Sequence, residues 1–383
     1  MRRLAPIVGL LVAAACGPPA TPPPPARLQV ADVLGGVDTR GFARALEPHP
    51  FAFPTDHGPH AAFASEWWYF TGNLANEAGR AFGYQLTFFR SSLQPPGEAA
   101  PRASAWAANE VWMAHFALTD VAGGRLHAFE RFQRGALGLA GAQADPWRVW
   151  LDDWRLQQEG PGAFPVRLQA RAAGIAIDLL LESAKPAVLP GSRGLSAKGP
   201  EPGNASYYYS FTRLPTRGAV ELNGRAFAVQ GDSWLDREWG TSALGEGVVG
   251  WDWFALQLDD GTELMYYRLR QADGDAAPQS AGVLVAADGS WQPLAAADLE
   301  LAVHDRWTSP RHGTVYPAAW TLAVPGRGIA LRVTPRLPDQ ELDLSFRYWE
   351  GAVQVEGAGV GGAPVGGRGY AELTGYAEGG LHP

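Results

Sequence analysis

The sequence predicts an all-β chain folded as a tandem pair of antiparallel barrels, and three observations carry that reading. Apolar and polar residues come in short alternating runs rather than at helical spacing. Gly (47) and Pro (31) punctuate those runs at close intervals. The chain has 383 residues, longer than one hydrophobic core usually serves, so two domains are expected. Hydrophobic residues make up 46% and charged ones 18%, a balance that supports packed cores.

The formal net charge is -8, and Lys185 and Lys198 are the only lysines. No basic run stands out, so a nucleic-acid partner is not expected. Fifteen tryptophans suit wide cores and apolar cavities.

Residues 1–16 read as a lipoprotein signal peptide: two arginines, a short apolar run, small residues and then Cys16. The run is too short to span a bilayer, which takes about 20 apolar residues. Val12-Ala-Ala-Ala-Cys16 resembles the bacterial lipobox, and lipidation of Cys16 would anchor the mature chain to a membrane. The alternative is an ordinary secretory leader with an incidental cysteine. Gly17 after the cysteine favours the periplasmic side of the outer membrane over the inner one. Residues 17–47 form a Pro-rich tether and linker, with a short helix expected over Val30 to Pro48.

The first domain is expected over 48–215. Strands read from Glu66 to Leu74 and from Ala81 to Arg90, across a turn at Asn76 to Gly79. Val111 to Thr119 and Arg125 to Phe132 repeat the pattern, and further strands follow to Leu181. Strands joined by short turns describe a meander or barrel, not βαβ units. The second domain is expected over 216–383. It opens on a hairpin at Asn223-Gly224 and closes on Gly369 to Tyr376. Trp68 to Arg90 weakly resembles Trp253 to Arg270: an aromatic-led strand, a tight turn, and a strand ending in Arg.

Gly231 to Arg270 holds four tryptophans, many charges, and two apolar runs joined by Asp259-Asp260-Gly261, a hairpin signal. Alternation places Asp252, Phe254, Leu256 and Leu258 on one strand face and Trp251 and Trp253 on the other. These tryptophans and charges are expected to line a cavity or an interdomain cleft.

The segments DHGPH (Asp56 to His60), EWWYFTGNL (Glu66 to Leu74), WLDREWG (Trp234 to Gly240), GWDWFALQL (Gly250 to Leu258) and RYWEGAVQVEG (Arg347 to Gly357) extend the reading. Together they resemble the two-domain lipocalin-like family that includes carotenoid 1,2-hydratases and AttH-type secreted proteins. The resemblance implies a tandem of lipocalin-like barrels. It also implies a possible hydro-lyase activity on isoprenoid double bonds, and an export-system partner. The hydratase branch carries His where this chain has Arg237, and an acid where it has Arg268. Arg cannot trade protons near neutral pH.

The candidate catalytic residues are Asp252, Asp236 and Tyr266. A carboxyl group pressed against tryptophan is desolvated and can donate a proton. Glu66, Glu238 and Glu350 share that setting. The alternative is a carboxylate paired with Arg inside a barrel. Trp67, Trp68, Trp239, Trp251, Trp253, Arg237 and Glu238 are the candidate ligand contacts. The ligand expected is an apolar small molecule, isoprenoid- or lipid-like. No cofactor and no metal are expected: His57 and His60 lie three apart, but no second His/Cys cluster accompanies them. No GxSxG elbow, phosphate loop or dinucleotide fingerprint is present. Two functions stay open, an envelope lipoprotein that binds an apolar ligand and a hydratase or cyclase acting on one.

Overall fold

The structure is a computed structural model that describes residues 39–97, 104–241 and 244–376. The expected signal peptide, Cys16 and most of the tether lie outside the described residues. Residues 39–48, the described part of the expected short helix, contain no helix.

The first sheet has twelve strands. In chain order they are β1 (Ser65–Ala75), β2 (Ala81–Ser92), β3 (Glu110–Asp120), β4 (Arg125–Arg134), β5 (Ala140–Ala144) and β6 (Trp147–Leu151). Then come β7 (Trp154–Gln158), β8 (Val166–Ala172), β9 (Ile175–Leu181), β10 (Leu195–Ala197), β11 (Ala205–Leu222) and β12 (Arg225–Gly240). Their order in space is β4-β3-β2-β1-β12-β11-β9-β8-β7-β6-β5, with β10 on β11. The sheet curls until β4 approaches the β6–β7 turn, where Arg131 bridges to Asp153 and lies 4.4 Å over the Trp154 ring.

The second sheet has ten strands. They are β13 (Val248–Leu258), β14 (Glu263–Gln271), β15 (Ala281–Val285), β16 (Trp291–Ala295) and β17 (Glu300–Thr308). The remainder are β18 (Val315–Val324), β19 (Ile329–Pro335), β20 (Glu341–Asp343), β21 (Arg347–Ala358) and β22 (Pro364–Leu373). The order is β16-β15-β14-β13-β22-β21-β19-β18-β17, with β20 on β21. Every strand pair is antiparallel, as the short turns require.

The domain change expected near residue 215 falls instead between Gly240 and Val248. β11 runs through Pro215, which sits opposite Asp232 just after an irregularity at Phe211 to Leu214. A bulge of that kind tolerates a proline inside a strand. The hairpin at Asn223 (φ 48°) and Gly224 (φ 83°) then returns the chain as β12, along the edge of β1. Two positive φ angles suit the tight turn that joins twisted strands. The hairpin read as the start of the second domain is therefore the last one of the first.

Alternation assigns the cores. From β1 and β2, Trp68, Phe70, Leu86 and Phe88 fill the first barrel; from β13 and β21, Phe254, Leu256, Leu258 and Trp349 fill the second. Each such side chain contributes roughly 1.5–3 kcal/mol when fully buried. A third cluster lies between the barrels and includes Tyr69, Tyr208, Trp234, Trp253, Met265 and Tyr370. The faces meet closely at Gly83, where an added Cβ would come within 2.7 Å of Ala352 and 2.8 Å of the Tyr370 hydroxyl. Buried hydrogen bonds cross the seam. Asn73 Nδ2 donates to the Gly369 carbonyl (2.9 Å), and Gln257 Nε2 donates to those of Thr212 (2.8 Å) and Ser233 (3.0 Å).

Candidate active site between the barrels

Because side chains alternate across a strand, each barrel sends one row inward and one toward the other barrel. On β12, Leu235 and Trp239 point into the first core, with Arg237 on the same face, while Trp234, Asp236 and Glu238 face the second barrel. On β13 the parity is equally clear: Phe254 and Leu256 point inward, and Trp251 and Trp253 outward. The outward rows enclose a cavity with about 130 Å³ open to the centres of water-sized molecules. Its walls include Trp67, Tyr69, Phe89, Trp251, Trp253 and Tyr267. Four carboxyl groups, Asp236, Glu238, Glu350 and Glu372, and one cation, Lys198, also line it.

Glu350 on β21 and Glu372 on β22 are direct cross-strand partners. Two like charges in that position repel, and in an apolar cavity each carboxylate also loses hydration. Burial, then the neighbouring Glu372, holds the Glu350 carboxyl well above the usual range. Burial likewise pushes Glu372 up to about 7, against a hydrogen bond from the Trp251 side chain. The pair therefore retains a proton at neutral pH. Tyr69 donates to Glu350 Oε1 at 2.5 Å, whereas Glu350 Oε2 is buried without a hydrogen bond.

Tyr348, also in the lining, contacts this pair from behind. Its hydroxyl lies 2.8 Å from His115 Nδ1, and His115 Nε2 lies 3.0 Å from Glu130 Oε1. The Glu130 carboxyl is held below its ordinary value: hydrogen bonds from His115 and Ser345 outweigh desolvation, the largest single effect. As an ionised acceptor it requires the proton on Nε2, so Nδ1 accepts from Tyr348. Tyr348 also interacts with the Glu350 carboxyl and lowers it, though no donor meets Glu350 Oε2 in hydrogen-bond geometry. A chain Glu350–Tyr348–His115–Glu130 thus runs from the cavity to the partly exposed Glu130.

The other carboxyls have fuller company. Asp236 accepts from Tyr208 (2.5 Å), Ser210 (2.6 Å) and Trp234 (2.6 Å), yet burial still raises it to about 6. Glu238 pairs with Lys198 at 2.8 Å and accepts from Ser206. The Lys198 ammonium lies 4.9 Å from the Tyr267 ring centre and 5.7 Å from that of Tyr208.

Several expected site residues lie elsewhere. Arg237, Trp68 and Trp239 are inside the first barrel. There Glu66 bonds both Arg237 and Arg90, and the Arg237 guanidinium sits 3.9 Å over the Trp68 ring. These two guanidiniums overcome the burial penalty and hold the Glu66 carboxyl far below its ordinary value. Asp252 and Tyr266 are inside the second barrel, away from the cavity. Asp252 accepts from Tyr376 at 2.8 Å and has Arg270 and Arg268 at 3.7 and 3.8 Å. Desolvation outweighs those looser contacts, and its carboxyl is raised. The cavity keeps Trp67, Trp251, Trp253, Asp236 and Glu238 from the expected set and adds Glu372, Tyr348 and His115 behind it.

The HisGlyProHis loop packs at the first barrel. His57 bonds the Tyr209 hydroxyl (2.7 Å) and stacks on Trp147, while His60 stacks on Trp239 at 3.7 Å and contacts Asp56 and Glu66. Among the described residues no group of three or more His, Cys, Asp or Glu side chains is arranged to hold a metal ion.

A family model described as AttH-like matches residues 44–376, nearly the whole described chain. The chain belongs to the AttH-like family. A candidate AttH from Nitrosomonas europaea, known as a crystal structure, is 34% identical, with a TM-score of 0.76 over 88% of this chain and 100% of its own. Kievitone hydratase from Nectria haematococca shares the fold at 16% identity and a TM-score of 0.64, over 87% of this chain and 98% of its own. CghA shares it at 14% and 0.52, over 90% and 98%. No curated protein matches the chain.

Proposed function

We propose that this AttH-like protein binds an apolar, unsaturated small molecule between its barrels and protonates it from the Glu350–Glu372 pair, leading to addition of water. The observation that carries the reading is two carboxyls directly opposite one another in an aromatic cavity, where they hold a proton near neutral pH. The carboxyl proton adds to one alkene carbon, and the electron pair of the double bond forms the new C–H bond. The adjacent carbon becomes cationic, facing the rings of Trp251 and Trp253. A water oxygen bonds to that carbon and returns one proton to the carboxylate pair, so one water is consumed and the acid is restored. Tyr348, His115 and Glu130 offer a path for proton exchange with solvent. The hydratase among the structural neighbours lends an analogy of fold only.

The test is incubation with acyclic isoprenoid alkenes in ¹⁸O-labelled water, followed by mass spectrometry. A labelled alcohol that disappears in Glu350→Gln and Glu372→Gln supports the reading. Tight binding without a labelled product leaves the carrier function, the reading that the well-satisfied Asp236 and Glu238 favour.

The Cys16 motif further supports a lipid-anchored protein on the periplasmic side of the outer membrane. Cys16→Ser should move it to the soluble periplasmic fraction, and unchanged membrane association would refute the anchor. An export-system partner has no counterpart in the site and stays an expectation from the resemblance.

A further inference from the structure

We propose that the interbarrel cavity is a cation site: it takes an apolar ammonium compound, with the charged nitrogen between Glu350 and Glu372 and the carbon body against Trp251 and Trp253. The proposal rests on the cavity's being a ligand site, as read above, and not on the hydration chemistry.

The protein's own side chains supply the first argument. In one half of the cavity the Lys198 ammonium is paired with Glu238 and set against the rings of Tyr267 and Tyr208. A carboxylate with aromatic faces around it is a recurring way to hold an ammonium group. The other half repeats the materials. Glu372 lies directly opposite Trp253 and bonds the Trp251 side chain, and the Tyr69 ring meets that of Trp253 edge-on at 5.2 Å. Yet among the described residues the lining contains four carboxyls and no basic side chain besides Lys198.

The second argument is the unsatisfied oxygen. Asp236 has three donors and Glu238 has its lysine, so neither calls for a further cation. Glu350 Oε2 is buried with no donor in hydrogen-bond geometry, on a residue 2% exposed, and the Tyr348 hydroxyl beside Glu350 is shared with His115. An acceptor left unpaired in a dry site is costly, and more so when it is charged. A positive guest removes that cost and takes the place of the proton that the pair otherwise holds. A neutral hydrocarbon does neither. The groups facing the pair are Tyr69, Tyr348, Trp251 and Asp236, with Glu238 and Lys198 beyond them, so the guest meets acceptors and π faces rather than competing cations.

Benzyltrimethylammonium and neopentylbenzene have the same shape and differ in charge, and both can be followed by quenching of tryptophan fluorescence. At pH 7 the ammonium should bind at least tenfold more tightly. Its calorimetric enthalpy should change with the ionisation enthalpy of the buffer, because the guest expels the proton of the pair. The preference should grow from pH 5 to pH 8 and vanish in the Glu350→Gln/Glu372→Gln double variant, which should still bind neopentylbenzene. Equal or tighter binding of the neutral compound overturns the proposal while sparing the cavity as a ligand site. A preference that survives in the double variant also overturns it. Binding of neither compound removes the ligand site itself. Should the double variant fail to fold, the wild-type pH series decides: a preference unchanged between pH 5 and pH 8 refutes the cation site.

Discussion

Glu66 in the first barrel and Glu350 in the seam between barrels are both fully buried, on strands of the same antiparallel pattern, yet their carboxyls behave in opposite ways. Glu66 has two guanidiniums, and its proton is held off to strongly acidic pH. Glu350 has another carboxyl directly opposite, and its proton is kept. Burial penalises the charge of both; what differs is the charge of the neighbour. Glu66 consequently serves the fold, since an ionised, doubly paired carboxylate has no proton to give. Glu350 and Glu372 can do chemistry, and the protein bears their mutual repulsion as a cost in stability. Asp252 stands between these extremes, with two arginines in loose ion pairs at 3.7 and 3.8 Å and a carboxyl still raised.

The comparison breaks most visibly if Glu66 is made to resemble Glu350. Arg237→Met removes one of its two guanidiniums and should cost about 3–5 kcal/mol, the scale for a broken buried pair. Urea unfolding at pH 7 measures it, and a loss below 1 kcal/mol would show that Arg90 alone suffices. Asp252→Asn should cost less, roughly 1–3 kcal/mol, because the arginines it leaves behind have other partners. Arg268 bonds the Gly274 carbonyl, and Arg270 bonds that of Thr374 and lies 3.8 Å over the Tyr376 ring. A loss as large as that of Arg237→Met would place Asp252 with Glu66.

Glu372→Gln tests the other side, where removing charge should help. At pH 8 it should stabilise the protein by about 1–2 kcal/mol, taking one raised pKa unit as about 1.4 kcal/mol and discounting for coupling. Below pH 5, where the wild-type pair is protonated, the gain should disappear. Destabilisation at pH 8 would mean that the pair is held by something other than its proton.

The pH profile of the wild type is the gentlest test. Glu372 and Asp236 are raised to about 7 and about 6, so their contribution is complete below pH 4 and fades as pH rises through 6 to 7. For Asp56 burial is the largest single effect and raises the carboxyl. Hydrogen bonds from His60, the Ala52 backbone and His49, with the charge of His49, together lower it to about 2, so it contributes above its ordinary value. That contribution is lost as pH falls toward 2, and Glu66 adds to it with the same sign. Burial pushes His57 down to about 3 and lowers His115, so both lose stability as pH falls below about 6.5. The raised Glu350, Glu372 and Asp236 outnumber them, and melting temperature should peak between about pH 4 and 6. A maximum at pH 8 would contradict the raised carboxyls.

Much of this architecture was legible in the sequence, because it is written in local pattern. Asn223-Gly224 and Asp259-Asp260-Gly261 turn where their φ preferences say, and the parity of Trp253 against Phe254 follows from strand alternation. What failed was whatever depends on pairing between distant strands. Pro215 reads as a boundary until β12 is seen to lie along β1. The internal repeat, read from Trp68 and Trp253, slips out of phase: Trp68 points into a barrel and Trp253 out of one. Glu66 opposite Arg90 and Asp252 opposite Arg268 are the true equivalents. Glu372 sits in an unremarkable Tyr-Ala-Glu-Leu run, and only its register with Glu350 gives it meaning. His115 needs Tyr348 from the other barrel, a meeting that no spacing announces.

The pairing of β1 with β12 also governs when this chain can fold. Glu66 finds its register partner Trp239 only after all the intervening strands have been made, and Asp252 must likewise wait for Leu373 at the far end. Contacts so distant along the chain make for slow collapse to the native state. A nascent chain released before Gly240 would expose the open edge of β1, an invitation to aggregate.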